Sequence, residues 1–416
     1  MRLNPVHVSL ERQTGQGEPG VVYLGDVVSL MPELLSLYEG QVQSIYIDPP
    51  FATGKKFTMK TRVGEKDWKT RASFAQTAYE DDIDREAYMG LMRAALEGAH
   101  KLLKSNGVMF LHIDFRMHAQ LRLMMDEIFG EDNLLNEIIW TYQTGGRAQR
   151  HFSRKHDVIL FYKKSKHYQF DIAPTGVVLP DGRKNHMKKH IDSDGRVYRS
   201  IKSGSKVYTY YDDDPVYPSD VWDDVGHMQQ KDPQRTGYDT QKPIRLLERV
   251  ILCSTKPGDL VMDFFAGSGT TLAAAHQLGR KFLGVDKGAL SMNVIRRRLM
   301  GANVEYIAPQ RQGHPKVSAN AMVGVGYYEV ELTGYEVEPG VASRVFTDLD
   351  ALDNWALGYV RNGVFEMLTG EMRTQSIPQL SRRLKLPVLT GTPVMRLGDV
   401  LGRVFYYELD KDGMDR

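Results

Sequence analysis

The sequence contains very little cysteine, since Cys253 is the one cysteine among 416 residues. This scarcity excludes a disulfide framework and a zinc centre built from cysteines, and it favours a reducing compartment. Long apolar runs are missing as well, because no stretch approaches the ~20 residues that span a bilayer. Residues 1–15 also lack the apolar core of a signal peptide. We therefore expect a soluble intracellular protein with no membrane partner.

Neither sign of charge dominates the chain, whose formal net charge is +2. The charges are nevertheless unevenly distributed: residues 141–190 hold eleven Lys and Arg against three Asp and Glu, whereas residues 301–350 hold three against seven. The basic stretch indicates either a polyanionic partner or a solvated loop region, and charge alone does not separate the two. Its five histidines lack the close spacing of metal ligands, so no metal site is predicted.

The rest of the composition is that of a globular protein, with 42% hydrophobic residues and enough length for two or three domains. Apolar strand patterns alternate with helical patterns in two blocks, residues 20–165 and 243–301. This alternation predicts an α/β fold with a doubly wound, mostly parallel sheet. We expect two stretches distant in sequence to complete that sheet.

The other segments are less regular. We expect a long mobile loop over residues 52–82, a helix near 85–103 ended by Gly107 as its C-cap, and an irregular β-rich unit over 165–235. Beyond residue 309, strand patterns near 327–338 and 404–409 and a helical pattern near 350–369 predict a small α+β region. These patterns divide the chain into four parts: residues 1–142, an insert at 143–235, residues 236–305, and residues 310–416. The strand pair that ends near residue 165 fits either the first part or the insert.

A turn of unusual composition, Asp48-Pro49-Pro50-Phe51, directly follows the apolar strand pattern Val42–Ile47. The carboxyl end of a strand is where ligands bind in open α/β sheets. Because the prolines donate no N–H, the turn presents carbonyl and carboxylate acceptors beside an aromatic ring. Such a set suits the exocyclic amino group of a flat base. The alternative is an ordinary loop in which Phe51 simply packs.

A glycine turn between a strand and a helix forms a second candidate site, with Gly267 and Gly269 at its centre. The glycines permit close backbone approach to a ligand, and the helix start suits an anionic group. Leu272 stands where a dinucleotide fingerprint has its third glycine, and no Walker A lysine follows. Asp286 ends the next strand, where an acidic side chain can bind ribose. Together these residues predict a nucleoside cofactor without a pyrophosphate, with a packing turn as the alternative.

The order of these elements resembles that of the β-group DNA amino-methyltransferases. An Asp-Pro-Pro-aromatic turn precedes a basic insert, and Thr-Gln-Lys-Pro at 240–243 and a Phe-x-Gly-x-Gly turn follow, which is the circularly permuted order of that family. The resemblance covers about residues 20–301, and it is similar in type to the modification subunits of type III restriction systems and their stand-alone relatives. It implies a Rossmann-like methyltransferase fold and S-adenosyl-L-methionine as cofactor. Cys253 has no proline before it, which excludes a cytosine-C5 enzyme.

The resemblance implies a role for each motif residue. Asp48 and the Pro49 carbonyl would accept hydrogen bonds from the adenine amino group, in a turn made rigid by Pro50, and Phe51 would stack on the base. Asp in place of Ser before the prolines implies N6 of adenine rather than N4 of cytosine. The cofactor would contact the glycine turn, with its methionine end at Thr270, Thr271 and Lys242. Its ribose would lie at Asp286 and its adenine near Asp26. The implied cofactor-binding residues are Asp26, Lys242, Phe265, Ala266, Gly267, Ser268, Gly269, Thr270, Thr271 and Asp286.

The basic insert occupies the position of the family's target-recognition region. Its Lys and Arg side chains are expected to contact phosphates and base edges of double-stranded DNA, from which the target base must be flipped. The candidates are Arg147, Arg150, Arg154, Lys155, Arg183, Lys184, Lys188 and Lys189. The resemblance implies a prokaryotic, cytoplasmic, nucleoid-associated adenine-N6 methyltransferase, and it leaves open a homodimer and a restriction subunit as partners. Cytosine-N4 methylation and a non-DNA methyltransferase are the alternatives.

Overall fold

A computed structural model of the chain describes residues 3–51, 56–62, 73–80, 84–143, 148–178, 187–229, 232–309, 314–336, 348–374, 377 and 379–410. The helices of these residues are α1 (Val27–Tyr38), α2 (Arg85–Leu102), α3 (His118–Phe129), α4 (Ile244–Ser254), α5 (Thr270–Gln277) and α6 (Ala289–Arg298). None of the described helices combines the length and the apolar character needed to cross a bilayer.

The strands are, in chain order, β1 (Leu3–Pro5), β2 (Leu10–Gln13), β3 (Gln16–Leu24), β4 (Val42–Ile47), β5 (Lys56–Arg62), β6 (Ser73–Glu80), β7 (Leu103–Ile113), β8 (Leu134–Thr141), β9 (His156–Lys163), β10 (Lys189–Ile191), β11 (Val197–Ser203), β12 (Lys206–Tyr211), β13 (Val221–Trp222), β14 (Leu260–Asp263), β15 (Lys281–Asp286), β16 (Ala302–Ile307), β17 (Val317–Gly324), β18 (Tyr327–Tyr335), β19 (Leu352–Arg361), β20 (Val364–Met372), β21 (Arg383–Pro387), β22 (Thr392–Asp399) and β23 (Val404–Leu409).

One large sheet organises the molecule, in the order β1-β23-β22-β19-β20-β2-β16-β3-β15-β14-β4-β7-β9-β8-β13. Its central strands β3, β15, β14, β4 and β7 are all parallel. The early strands β3 and β4 flank the late strands β15 and β14, so two stretches distant in sequence complete the sheet as predicted.

Helices cover both faces of these parallel strands. Helices α1 to α3 contribute to one hydrophobic core and helices α4 to α6 to another. All six residues of β4 are buried, which explains why its sequence shows no alternation of polar and apolar residues. Cys253 lies in the second core, as expected. The predicted doubly wound α/β class is confirmed.

The expected loop over residues 52–82 is wrong for its described part. Strand β5 pairs antiparallel with β6, and the Thr58 hydroxyl donates to Asp239 Oδ2 at 2.7 Å. Met59 is buried in a small cluster with Tyr238 and Leu290. Strand pairing and the buried Met59 side chain therefore stabilise this segment, although its sequence has little hydrophobic pattern. Residues 52–55, 63–72 and 81–82 of that prediction lie outside the described residues.

The expected C-cap at Gly107 is also wrong. Helix α2 ends at Leu102 with the extended residue Leu103 as its cap, and Gly107 lies inside β7. A Cβ atom at Gly107 would come within 3.1 Å of the Val42 carbonyl oxygen at the start of β4. The glycine thus permits close approach between neighbouring strands instead of ending a helix.

The expected helix near 350–369 is a β-hairpin, formed by β19 and β20. Asn362 and Gly363 form the turn with φ of 51° and 77°, the left-handed conformations that a two-residue type I′ turn requires. The first eight residues of β19 are buried, so its sequence lacks strand alternation. Since the remaining described elements after residue 309 are strands and one 3-10 turn at Asp348–Ala351, this region is β and not α+β.

Beyond residue 309, strands β19, β20, β22 and β23 extend the central sheet through β2, whereas β17, β18 and β21 form a separate antiparallel sheet. The short strand β2 pairs antiparallel with β16 on one side and parallel with β20 on the other. On the other side of the central strands, β9 pairs with β7, β8 pairs with β9, and β13 pairs with β8. The insert adds a separate sheet of β10, β11 and β12, in line with the expected irregular β-rich unit.

Candidate active site

A cleft of about 870 Å³ opens at the carboxyl edge of the parallel strands, and both predicted motifs line it. The predicted residues in its wall are Asp26, Asp48, Pro50, Lys242, Phe265, Ala266, Gly267, Ser268, Thr270, Thr271 and Asp286. Pro49, Phe51 and Gly269 are not among the lining residues. Gly269 has φ of 73°, and a Cβ atom there would lie 2.8 Å from the Ile295 side chain, so this glycine permits close packing of α5 on α6.

Three adjacent parallel strands each end in an aspartate at this edge. Asp48 directly follows β4, Asp263 ends β14, and Asp286 ends β15. All three line the cleft together with Asp26, against the two lysines Lys242 and Lys287. Among the described lining residues acidic groups therefore outnumber basic ones, and the cleft favours a cationic ligand.

Asp263 received no functional role from the sequence, although it directly precedes the glycine turn. Its carboxylate accepts from the Thr271 hydroxyl at 2.6 Å and from the Phe265 N–H at 3.0 Å. Burial, with smaller contributions from the charges of Asp48 and Asp286, raises the pKa of Asp263 to about 7. The signal that could have revealed it is its position at the end of a buried strand, which it shares with Asp48 and Asp286.

Asp286 joins its strand end to the glycine turn. Its two carboxylate oxygens accept from the backbone N–H groups of Gly267 and Gly288, both at 2.7 Å. Burial raises the pKa of Asp286 to about 6, and these hydrogen bonds oppose that effect. The Ser291 hydroxyl fixes the same turn by donating to the Gly267 carbonyl at 2.5 Å. Hydrogen bonds to Asp286 and Ser291 therefore fix the glycine turn at both the N–H and the carbonyl of Gly267.

Lys242 links the two halves of the core. Its Nζ lies 2.5 Å from Asp48 Oδ2, and both side chains are largely buried. Lys242, which the resemblance places at the cofactor's methionine end, thus pairs with the Asp48 carboxylate in this structure. The other carboxylate oxygen, Asp48 Oδ1, is buried and has no hydrogen-bond partner among the described residues. A buried acceptor of this kind favours a ligand that brings an N–H or O–H donor.

Asp26 is both a lining residue and a helix cap. Its carboxylate accepts from the N–H groups of Val28 and Ser29 at 3.0 and 3.1 Å, which satisfies the first turn of α1. Within the glycine turn, the hydroxyls of Ser268 and Thr270 lie at hydrogen-bonding distance, 3.0 Å apart.

A buried polar network, also missed from sequence, lies beside Phe51. The Phe51 ring is 6.2 Å from the His112 ring, and His112 Nδ1 lies 2.8 Å from the Tyr46 hydroxyl. On its other side His112 Nε2 lies 3.3 Å from Asp157, which also accepts from Tyr142. Burial alone would raise the pKa of Asp157, but the hydrogen bond and charge of His112 and the charge of Lys242 outweigh it and lower the pKa. The network connects strands β4, β7 and β9 with the residue that follows β8, beside the cleft.

The predicted DNA-binding residues fall into two groups. Arg150, Arg154 and Lys155 lie on the connection between β8 and β9, and Lys188 and Lys189 lie at the start of the separate sheet in the insert. Arg150, Arg154, Lys188 and Lys189 are exposed, whereas Lys155 is half-buried. Arg147, Arg183 and Lys184 lie outside the described residues.

Comparisons with known proteins identify one family and several relatives of this chain. The profile of the DNA methylase family N6_N4_Mtase matches residues 42–296. The chain is similar to the type II methyltransferase M.EcaI of Enterobacter cloacae, with 27% identity over 302 residues, 61% of this chain and 64% of that protein. It is also similar to the DNA adenine methyltransferase YhdJ of Escherichia coli K12, with 26% identity over 284 residues, 68% of this chain and 83% of that protein.

The chain spans less than two thirds of the length of M.EcaI. Among solved structures, the Thermus thermophilus protein TTHA0409 in complex with S-adenosyl-L-methionine aligns with a TM-score of 0.43 and 18% identity, over 70% of this chain and all of that chain.

The resemblance to DNA amino-methyltransferases drawn from the motifs is confirmed by the family profile. Because that profile covers more than half of the chain and includes both the Asp48 turn and the glycine turn, the protein belongs to the N6_N4_Mtase family of DNA methylases.

Proposed function

We propose that this protein transfers a methyl group from S-adenosyl-L-methionine to the N6 amino group of an adenine flipped out of double-stranded DNA. The observation that carries the proposal is Asp48 Oδ1, a buried acceptor without a partner among the described residues. It lies in a turn that also contains the aromatic ring of Phe51. An amino group on a flat ring offers the donor and the stacking surface that this pair of features suits.

The cofactor is supported by the charge and shape of the cleft. S-adenosyl-L-methionine supplies a methyl group on a positively charged sulfonium. Asp48, Asp263 and Asp286 line the cleft, and two of these carboxylates have a raised pKa that a nearby cation would lower again. The glycine turn would accept the cofactor's close approach, and Asp286 would bind its ribose. The Asp26 carboxylate would lie near its adenine, and Thr270 near its methionine end.

The chain's own residues would position and deprotonate the acceptor nitrogen. The N–C bond forms as the S–C bond breaks, and the nitrogen then loses one proton. Asp48 Oδ1 would accept a hydrogen bond from the amino group before transfer and take the proton after it, for release to solvent. Lys242, which pairs with Oδ2, holds the carboxylate in one orientation, so that Oδ1 keeps its position. Much of the rate would come from this positioning.

Adenine is favoured over cytosine by the residue before the prolines and by a relative. The motif resemblance associates Asp-Pro-Pro with N6 of adenine, and YhdJ, which shares 26% identity, is named a DNA adenine methyltransferase. Double-stranded DNA as the substrate is supported by Arg150, Arg154 and Lys155, which follow β8 at the edge of the sheet where the cleft opens.

The test is to incubate the protein with isotope-labelled S-adenosyl-L-methionine and unmethylated bacterial genomic DNA, and to identify the labelled nucleoside by mass. The proposal predicts label in N6-methyladenosine. Label in N4-methylcytidine would correct the base, and tight cofactor binding without label in DNA would overturn the DNA substrate. Asp48→Ala should abolish transfer and leave duplex binding intact, whereas Asp220→Ala, which removes an exposed carboxylate of the insert, should leave both unchanged.

A further inference from the structure

A fully exposed phenylalanine stands on the connection between β8 and β9. The side chain of Phe152 is 98% exposed, more than twice the exposed fraction of the next described aromatic side chain, Tyr208 at 46%. Strand β8 runs antiparallel to β9, and β9 runs antiparallel to β7, which is parallel to β4. The carboxyl ends of β8 and β4 therefore lie at the same edge of the sheet. Phe152 consequently lies on the side of the molecule where the cleft opens.

The described residues of this connection are anchored by several contacts, although Phe152 itself is exposed. The Tyr142 N–H donates to the Lys155 carbonyl at 2.9 Å, and the Ala148 N–H donates to the Ser153 hydroxyl at 3.1 Å. The Arg154 guanidinium lies 4.0 Å from the centre of the Phe115 ring, just beyond the end of β7. The exposed Phe152 ring is therefore an apolar group on an anchored backbone segment.

The surroundings of the Phe152 ring are basic. Residues 148–156 include Arg150, Arg154 and Lys155 as well as two histidines, and they contain no Asp or Glu. A polyanion is the partner that such a charge pattern attracts. Proteins that bind the minor groove frequently insert an apolar side chain such as Phe between base steps.

A chain of contacts leads from the base of this connection to the proposed target-base site. Tyr142, where the connection begins, donates to Asp157 at 3.2 Å, and Asp157 lies 3.3 Å from His112. The His112 ring in turn lies 6.2 Å from Phe51. The support of Phe152 and the turn that would hold the flipped base thus belong to one connected part of the structure.

We infer that Phe152 is the wedge of this enzyme: it enters the duplex at the target position and occupies the space that the flipped base leaves. This inference rests on the proposed function. It makes Phe152 a positioning residue, because the ring acts on the DNA stack and not on the reacting atoms. Removing the ring should therefore matter when the target is firmly paired and lose its importance when the target is already unpaired.

The experiment compares Phe152→Ala, Phe152→Leu and the wild type on two duplexes that contain the site mapped by wild-type methylation. In one duplex the target adenine is paired with thymine, and in the other it faces an abasic site. Single-turnover methyl transfer by Phe152→Ala should fall at least about tenfold on the paired duplex and stay near wild type on the abasic one, since unstacking costs a few kcal/mol. Phe152→Leu should retain most of the paired-duplex rate, and the control Val325→Ala, at an equally exposed position far along the chain, should change nothing.

Three outcomes would overturn the inference. Phe152→Ala could methylate the paired duplex at the wild-type rate, or it could lose activity equally on both duplexes, which would indicate a structural role or a contact with flanking DNA. An unchanged Phe152→Ala rate would leave the proposed function intact. If the wild type methylated no DNA, so that no site could be mapped, the proposed function itself would fail, and this inference with it.

Discussion

Replacing Asp263 with asparagine should remove a pH dependence of stability that the wild type shows. Asp263 is 2% exposed, and burial raises its pKa from 3.8 to about 7. Asparagine has nearly the same shape and carries no charge at any pH. The variant therefore resembles the protonated wild type, and the comparison isolates the titration of one side chain.

The sign and size of the effect follow from linkage. Between pH 3.8 and 7 the unfolded chain ionises this carboxyl while the folded chain retains its proton, so the stability of the wild type falls as the pH rises through that window. Raising the pKa from 3.8 to about 7, at 1.36 kcal/mol per pH unit, corresponds to about 4 kcal/mol. Below and above the window this contribution is constant.

The assay is urea unfolding of wild type and Asp263→Asn at one-unit steps from pH 4 to pH 8. The free energy of unfolding of the wild type, minus that of the variant, should fall by about 4 kcal/mol across this range. Any constant cost from altered hydrogen bonds to Thr271 and Phe265 cancels, because only the change with pH is read. The exposed control Asp220→Asn should give a flat difference. A difference for Asp263→Asn that varies by less than about 1 kcal/mol would refute the role of burial at this site.

Three further perturbations test other parts of the structure. Lys242→Met should lower single-turnover methyl transfer about a hundredfold, because it leaves the Asp48 carboxylate buried without its cation; transfer within threefold of wild type would contradict this. Gly363→Ala should cost about 1–2 kcal/mol in urea unfolding because φ is 77°, whereas Gly90→Ala, with open space inside α2, should stabilise slightly. Lys188→Glu with Lys189→Glu should weaken DNA binding and reduce the slope of log K against log salt by up to about 2, and an unchanged slope would remove this pair from the DNA surface.

The sequence was most informative where a local pattern is sufficient to define structure. Strand β4 was predicted with its observed bounds, since six residues without alternation followed by a rigid turn are typical of a buried parallel strand. The same lack of alternation misled the prediction for β19, because an apolar run covered on both faces is compatible with a helix. The Asn362-Gly363 pair was the better guide there, because it favours a two-residue hairpin turn over a continuous helix.

Contacts between distant residues could not be read from the sequence. The resemblance places Lys242 at the cofactor's methionine end, but nothing near it in the chain indicates that it pairs with Asp48, 194 residues away. The network of Tyr46, His112 and Asp157 is likewise assembled from three different strands. Such pairs depend on the order of strands in the sheet, which local patterns do not specify.

The position of β14 and β15 between β3 and β4 affects how the protein folds during its synthesis on the ribosome. The strand that ends in the Asp48 turn is made long before its neighbour β14, which begins at Leu260. At 5–20 residues per second, synthesis of the intervening chain takes about 10–45 seconds. Throughout that interval, one backbone edge of β4 and the edge of β3 that later pairs with β15 have no native partner. Slow translation or a shortage of chaperones should therefore affect the yield of folded protein more strongly here than in an unpermuted relative with the same sheet.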